Sequence, residues 1–307
     1  MRNKTIDFTL EDGKNYLNNA IEYTSGTEIP LNKCVIGDTL EVLPTLKECS
    51  FDLLIADPPY NLFKDYGGWK SSIIPSSEYA NYTREWLSKC IPLLKKNGSI
   101  YICCDWKCSN EIASVLSEFA TIKNRITWQR EKGRGAKSNW KNCTEDIWYA
   151  VLDDNDYTFN LDAVKQRRKV LAPYKKDGKP KDWVETKDGK FRDTCPSNFW
   201  DDISIPYWSM AENTAHPTQK PEKLIAKLML ASTNMGDSVL DPFGGSGTTA
   251  VVAKKLGRNY VTIEKNPQYV AWGEMRLQRA EKDKEIQGYH NGVFWERNSK
   301  PVKKQKD

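Results

Sequence analysis

Histidine is nearly absent from this chain of 307 residues, which carries only His216 and His290. Its eight cysteines (Cys34, Cys49, Cys90, Cys103, Cys104, Cys108, Cys143 and Cys195) contain no C-x-x-C pair. These shortages exclude the usual zinc-ligand spacings, so no metal is expected, and the thiols read as reduced residues in apolar surroundings. Long apolar runs are missing too. Ser99–Cys104 and Asp52–Ala56 fall far short of the ~18 residues of a membrane span. The N-terminal stretch MRNKTIDFTLEDGKNYLNN has neither the apolar core nor the cleavage site of a secretory signal, so a cytoplasmic protein is expected. Neither sign of charge dominates. Lys and Arg number 46 against 41 Asp and Glu, a formal +5 that permits a polyanionic partner without requiring one.

What is present is an alternation of strand-like and helix-like segments. Lys33–Ile36 predicts a strand, Thr39–Leu46 a helix, and Phe51–Ala56 a strand stopped by Asp57-Pro58-Pro59-Tyr60, since two prolines cannot continue a ladder. Ser77–Leu94 predicts a helix, Asn97-Gly98 a turn into the strand Ser99–Cys104, Asn110–Phe119 a helix and Ile122–Gln129 a strand. Near-continuous apolar strands between helices indicate a doubly wound, mostly parallel α/β sheet covered on both faces. Residues 153–215 break the alternation and predict an inserted module. The pattern returns with a helix over Glu222–Ser232, strands at Ser238–Leu240 and Asn259–Glu264, and helices from Gly244 and Pro267. The expected boundaries are thus 1–30 for an irregular N-terminal extension, 31–152 and 216–285 for two halves of one domain, and 286–307 for a basic tail.

Two motifs carry chemistry. Gly245-Ser246-Gly247-Thr248-Thr249-Ala250 fits G-x-G-x-x-G/A between a strand and a helix, the turn that lets backbone approach a nucleotide-type ligand. Glu264, closing the next strand, stands at about the spacing of a ribose acceptor. A phosphate-binding P-loop is disfavoured because Thr248 stands where its lysine belongs. Asp57-Pro58-Pro59-Tyr60 sets an acid, a stiff turn and an aromatic ring at the carboxyl end of a strand, where open α/β sheets place ligands. Either motif alone could be ordinary turn chemistry; combined, they favour a ligand site over that reading.

The pairing of DPPY with a later DPFGGSGTT, joined by HPTQKP at 216–221, resembles the amino-methylating DNA methyltransferases. Their order resembles the permuted β group of that family. The resemblance spans roughly Lys33 to Arg279 and implies a Rossmann-like, S-adenosylmethionine-dependent methyltransferase fold. It makes 31–152 the catalytic half, 216–285 the cofactor half, and 153–215 a target-recognition module. It implies that Asp57 and the Pro58 carbonyl hold an exocyclic amine, with Pro59 stiffening the turn and Tyr60 stacking on a flipped base. Asp241, Phe243, Gly244, Gly245, Ser246, Gly247 and Thr248 would line the methionine end of S-adenosylmethionine, with Thr218 and Lys220 at its carboxylate. Glu264 would take the ribose and Asp38 the adenine amino group, although Gly37-Asp38 is also common turn chemistry.

From Lys123 to Lys141 the chain carries Lys123, Arg125, Arg130, Lys132, Arg134, Lys137 and Lys141 against Glu131 alone, with Trp128 and Trp140 interleaved. That is a local footprint for double-stranded DNA. In the near-neutral module, Trp183, Arg192, Trp200 and Trp208 are either base readers or a small core. Asn61–Trp69, with Gly67-Gly68, is expected to close over the target base. Asp57, rather than Ser, favours adenine N6 over cytosine N4; RNA is a weaker substrate, and a non-catalytic DNA-recognition protein or a nicotinamide-dependent dehydrogenase leaves DPPY without a role. The family also makes a homodimer and a separately acting restriction endonuclease compatible partners.

Overall fold

The computed structural model describes residues 3–65, 70–130, 137–170, 174–186 and 189–296. Its centre is a nine-stranded sheet. In chain order the strands are β1 (Ile21–Glu22), β2 (Lys33–Ile36), β3 (Phe51–Ala56), β4 (Leu94–Cys104), β5 (Thr121–Gln129) and β6 (Thr144–Val151). The module then supplies β7 (Gln166–Lys169), β8 (Val184–Thr186), β9 (Gly189–Thr194) and β10 (Phe199–Trp200). Last come β11 (Ser238–Asp241), β12 (Asn259–Glu264), β13 (Tyr289–His290) and β14 (Val293–Trp295). The main sheet runs β1-β2-β12-β11-β3-β4-β6-β5-β10, parallel except where β6 lies antiparallel between β4 and β5.

Helices cover both faces, as buried parallel strands require. One face is packed by α1 (Thr39–Val42), α2 (Ser76–Cys90) and α3 (Ser109–Leu116), the other by α4 (Glu222–Ser232), α5 (Thr248–Leu256) and α6 (Pro267–Lys282). Helix α2 shows why: Tyr79, Thr83, Trp86, Leu87 and Cys90 fall at helical spacing and are all buried. Among the described residues no helix is long and apolar enough to cross a membrane.

Several expectations are corrected. Asn97-Gly98 lies within β4 rather than before it, and the pairing jumps from Phe51–Leu94 to Leu53–Ser99, so these residues bulge instead of turning the chain. The helices predicted over Thr39–Leu46 and Ser77–Leu94 both end in tighter turns, Leu43–Thr45 and Ile91–Leu93, each with a proline. The N-terminal extension is not wholly irregular, because β1 adds a parallel edge strand to β2.

The basic tail expected from residue 286 does not begin there, since residues 289–295 are folded into the module. β13 and β14 form a hairpin, and β14 pairs with β7 in a second sheet, β8-β9-β7-β14-β13. Phe294 is fully buried there, which a loose tail does not allow. A buried charge cluster fastens this module to α4. Asp202 pairs with Lys223 at 2.6 Å and Lys227 at 3.2 Å, and the Lys227 ammonium lies 4.6 Å from the centre of the Trp200 ring. Burial pulls Lys227 down to about 8, with Asp202 opposing it.

Candidate active site

Strands β3 and β11 are parallel neighbours, so the turns after Ala56 and after Asp241 leave the sheet side by side. One cavity of about 630 Å³ therefore holds both motifs: Asp57, Pro58, Pro59 and Tyr60 line it together with Asp241 and Phe243–Ser246. Asp38, Thr218, Lys220, Thr248 and Glu264 join them, as do Trp86 and His216. Gly247, the residue preceding α5, has φ +75° and is not among the residues that line the cavity. Trp86 meets Phe243 edge-to-face at 5.3 Å, giving the cavity an aromatic wall.

The Gly-rich loop is held by acids beneath it. Asp241 accepts from the Phe243 N–H at 2.9 Å and the Thr249 hydroxyl at 2.5 Å, and burial still pushes it up to about 7. Glu264 accepts from the Gly245 N–H at 2.9 Å and the Asn266 N–H at 2.7 Å; burial raises it above the ordinary carboxylate value. Asp38 caps α1 by accepting from the Leu40 N–H at 2.9 Å and pairs with Lys265 at 3.0 Å, so turn chemistry accounts for much of its placement.

At the other end, Tyr60 donates its hydroxyl proton to Asp57 Oδ1 at 2.8 Å. Burial, then Asp57 and Glu145, push the phenol well above its usual value, so it stays protonated. Lys220 is not directed at the Gly-rich loop. Its Nζ lies 2.6 Å from Asp57 Oδ2, 3.4 Å from Glu145 Oε2 and 5.3 Å from the centre of the Tyr60 ring. Only 7% of its side chain is exposed. Burial pulls the ammonium down, yet the two carboxylates outweigh it and hold the lysine above its usual value, so the charge persists. Thr218 donates its N–H to His216 Nδ1 at 3.3 Å.

Glu145 is a member of this site that sequence reasoning misses. Its side chain is 3% exposed, on β6, where it also pairs with Arg130. No local signal marks it, because TEDIWYAV reads as an ordinary strand.

The basic stretch divides. Lys123 pairs with Asp154 at 2.7 Å, Arg125 lies 3.7 Å from Asp146, and Arg130 pairs with Glu145. Lys137 and Lys141 are exposed, and Trp140 is 94% exposed. Lys132 and Arg134 lie outside the described residues. Trp128 is core instead, donating its indole N–H to the Ile203 carbonyl at 2.9 Å. Trp183 and Trp200 are likewise buried, while Trp208 is half exposed and Arg192 pairs with Asp182 at 3.3 Å. Of the loop 61–69, Asn61 is pinned to Ile74 by two hydrogen bonds of 2.8 Å, and residues 66–69 lie outside the described residues. Among the described residues no group of three or more His, Cys, Asp or Glu could hold a metal ion.

A family profile described as DNA methylase matches residues 51–275. The type II methyltransferase M.HpaI of Haemophilus parainfluenzae is 33% identical over 259 residues, 84% of this chain and 76% of its own. The DNA adenine methyltransferase YhdJ of Escherichia coli (strain K12) is 37% identical over 251 residues, 78% of this chain and 81% of its own. Among solved structures, the M1.HpyAVI–SAM complex superposes with a TM-score of 0.52 at 26% identity, covering 80% of this chain and 98% of that one. The cytosine-N4-specific PvuII DNA methyltransferase shares the fold, with a TM-score of 0.59 at 20% identity over 81% of this chain and 90% of its own.

Proposed function

The chain belongs to the DNA methylase family, and from that premise we propose that it is an S-adenosylmethionine-dependent methyltransferase acting on adenine N6 within a short double-stranded DNA sequence. The observation that carries this reading is the single cavity joining Asp57–Tyr60 to the Gly-rich loop.

The residues fit S-adenosylmethionine. The volume falls in the range of small-molecule sites, with Trp86, Phe243 and Ile263 as apolar wall and Glu264 at the end of β12. Among the described residues, two buried polar atoms lining it, Ser246 Oγ and Trp86 Nε1, have no hydrogen-bond partner. Asp38, Glu264 and Asp241 with Phe243–Thr248 would hold the molecule, and Thr218 lies beside them. When bound, it supplies a methyl group already activated on a sulfonium sulfur. Lys220, committed to Asp57 and Glu145, is assigned to the substrate side instead. Glu264→Ala is expected to weaken binding of S-adenosylmethionine about tenfold to a hundredfold, since it unpairs the Gly245 and Asn266 N–H groups as well as losing a contact. Calorimetric titration measures this, and a change below about twofold would remove Glu264 from the site.

The amine of adenine is a poor nucleophile because its lone pair is delocalised into the ring. Asp57 and the Pro58 carbonyl each accept one N–H, which localises the lone pair and aims it. Asp57 is also placed to take the proton that the nitrogen sheds on alkylation. The base reaches this cavity by leaving the duplex, and Tyr60 offers the ring on which it stacks. Lys137, Lys141 and Trp140, with the partly exposed Arg130, form the described part of the DNA face, while Lys123, Arg125 and Arg130 are each partly neutralised by an acidic partner. Residues 153–215, extended by the hairpin at 289–295, are the target-recognition module. A homodimer and a separately acting cognate endonuclease accord with this role.

The test is transfer of labelled methyl from S-adenosylmethionine to mixed genomic DNA, followed by digestion and mass spectrometry of the nucleosides. N6-methyladenine is expected. N4-methylcytosine would overturn the base, and unlabelled DNA the reaction.

A further inference from the structure

Both oxygens of the Asp57 carboxylate are already engaged within the protein. Oδ1 accepts from Tyr60 at 2.8 Å and Oδ2 receives the Lys220 ammonium at 2.6 Å. An incoming amine must therefore share or displace one of them. The ammonium has an alternative anion at hand, because Glu145 Oε2 stands 3.4 Å away, and the Tyr60 hydroxyl lies within 3.3 Å of both groups. Glu145 is held by a second cation, Arg130, through its other oxygen.

The four groups form a balanced set of two carboxylates and two cations, in which a shift at one end changes the other. Arg130 is the outer member. It follows β5 directly, is anchored by its N–H to the Cys143 carbonyl at 2.6 Å, and keeps 31% of its side chain exposed. The chain beyond it carries the basic stretch with exposed Lys137, Trp140 and Lys141. A guanidinium there prefers a phosphate fork where one is offered.

We propose that Glu145 and Arg130 are positioning residues that uncover Asp57 when DNA is engaged. A backbone phosphate draws Arg130 from Glu145, Glu145 then takes a larger share of Lys220, and Asp57 Oδ2 is released to accept the target amine. Lys220 thus shields Asp57 in the DNA-free enzyme and still balances its charge in the complex. This inference rests on the reading of the site as a DNA methyltransferase.

The experiment compares wild type with Glu145→Gln, Glu145→Asp, Arg130→Ala and the double variant R130A/E145Q, measuring kcat and KM for a duplex substrate, affinity for S-adenosylmethionine and thermal unfolding. E145Q leaves Lys220 on Asp57, so kcat at saturating DNA is expected to fall about thirtyfold or more, with cofactor affinity within about twofold. E145D, keeping the charge, is expected to recover most of that loss. R130A is expected to raise KM for DNA about tenfold while holding kcat within about threefold, since Glu145 is then already free. The double variant is expected to match the kcat of E145Q, because Arg130 acts through Glu145.

An E145Q kcat within about threefold of wild type would overturn the proposal. So would an R130A kcat as low as that of E145Q, or a loss in E145Q accompanied by an equal loss of cofactor affinity and no rescue by E145D. Wild-type protein that labels no DNA would instead defeat the functional reading itself.

Discussion

Asp57→Ala is expected to lower kcat for DNA methylation about a thousandfold while leaving affinity for S-adenosylmethionine within about threefold. The size follows from what one carboxylate does here. In the proposed role it accepts an N–H of the target amine, localises the lone pair and receives the departing proton, and losing a positioned base or preorganised acceptor costs 10²–10⁴-fold, or roughly 3–5 kcal/mol of barrier. The cofactor site should be spared, since Glu264, Asp241 and the loop at Phe243–Thr248 are held by hydrogen bonds that do not pass through Asp57. Lys220 keeps Glu145 as a partner in this variant, so its charge is not left bare. Asp57→Asn separates the two functions: it retains one acceptor oxygen but cannot take the proton. Single-turnover methylation with bound cofactor measures both variants. If Asp57→Ala retained more than about a tenth of the wild-type rate, Asp57 would not be the group that activates the amine, whereas the same result in Asp57→Asn would mean that Asp57 does not take the proton.

That assignment is legible in the sequence because the residues which carry it are contiguous. Asp57 to Tyr60 stop a strand whose apolar run, Phe51–Ala56, coincides with β3 from end to end. The Gly-rich turn is equally local. What cannot be read is whatever depends on strands brought together from distant parts of the chain. Lys220 lies in HPTQKP, beside the cofactor motifs in sequence, yet in space it bonds Asp57, a partner 163 positions away. Glu145 belongs to the interior strand of the main sheet that runs against its neighbours, and nothing in the strand's own sequence announces that it faces Lys220.

The charge of the basic stretch is overcounted for a related reason. Counting Lys and Arg along a segment ignores the acids that face them from elsewhere in the fold, and Asp154, Asp146 and Glu145 meet Lys123, Arg125 and Arg130. Trp128 and Trp140 illustrate the same limit. Strand alternation sends the first into the core beside Trp200, its register partner on β10, whereas the second stands on a loop in solvent. Lysines near the end of the chain suggest a tail from residue 286 onward, but Phe294 and Trp295 are the apolar pair that closes the module's sheet.

Gly247→Ala is expected to be among the most damaging single substitutions in the protein, with a loss of stability of about 2–5 kcal/mol and a weakening of cofactor binding of about a hundredfold. Two penalties meet there. The residue has φ +75°, where an alanine costs roughly 1–2 kcal/mol. A Cβ would also lie 3.0 Å from the Cα of Gly273, a backbone atom in the middle of α6 that cannot swing aside, and overpacking of this kind costs about 1–3 kcal/mol more. The contact explains Gly273 in return. Glycine inside a helix costs roughly 0.5–1 kcal/mol, and it is tolerated because a side chain at 273 would strike Gly247 and Ser246 at 3.3 Å. The loop that ends at Gly247 is thus seated directly on α6, and pushing it off displaces the backbone that faces the cavity. Gly178 provides the control, for it has the same φ of +75° and a Cβ added there would meet nothing within 4 Å. Gly178→Ala should show the conformational penalty alone, and Gly273→Ala the contact offset by the roughly 0.5–1 kcal/mol that alanine gains inside a helix. Thermal unfolding and titration with S-adenosylmethionine across the three variants would separate the two penalties; a Gly247→Ala protein no less stable than Gly178→Ala, and binding the cofactor as tightly as wild type, would mean that the close seat of the loop on α6 is not what shapes the site.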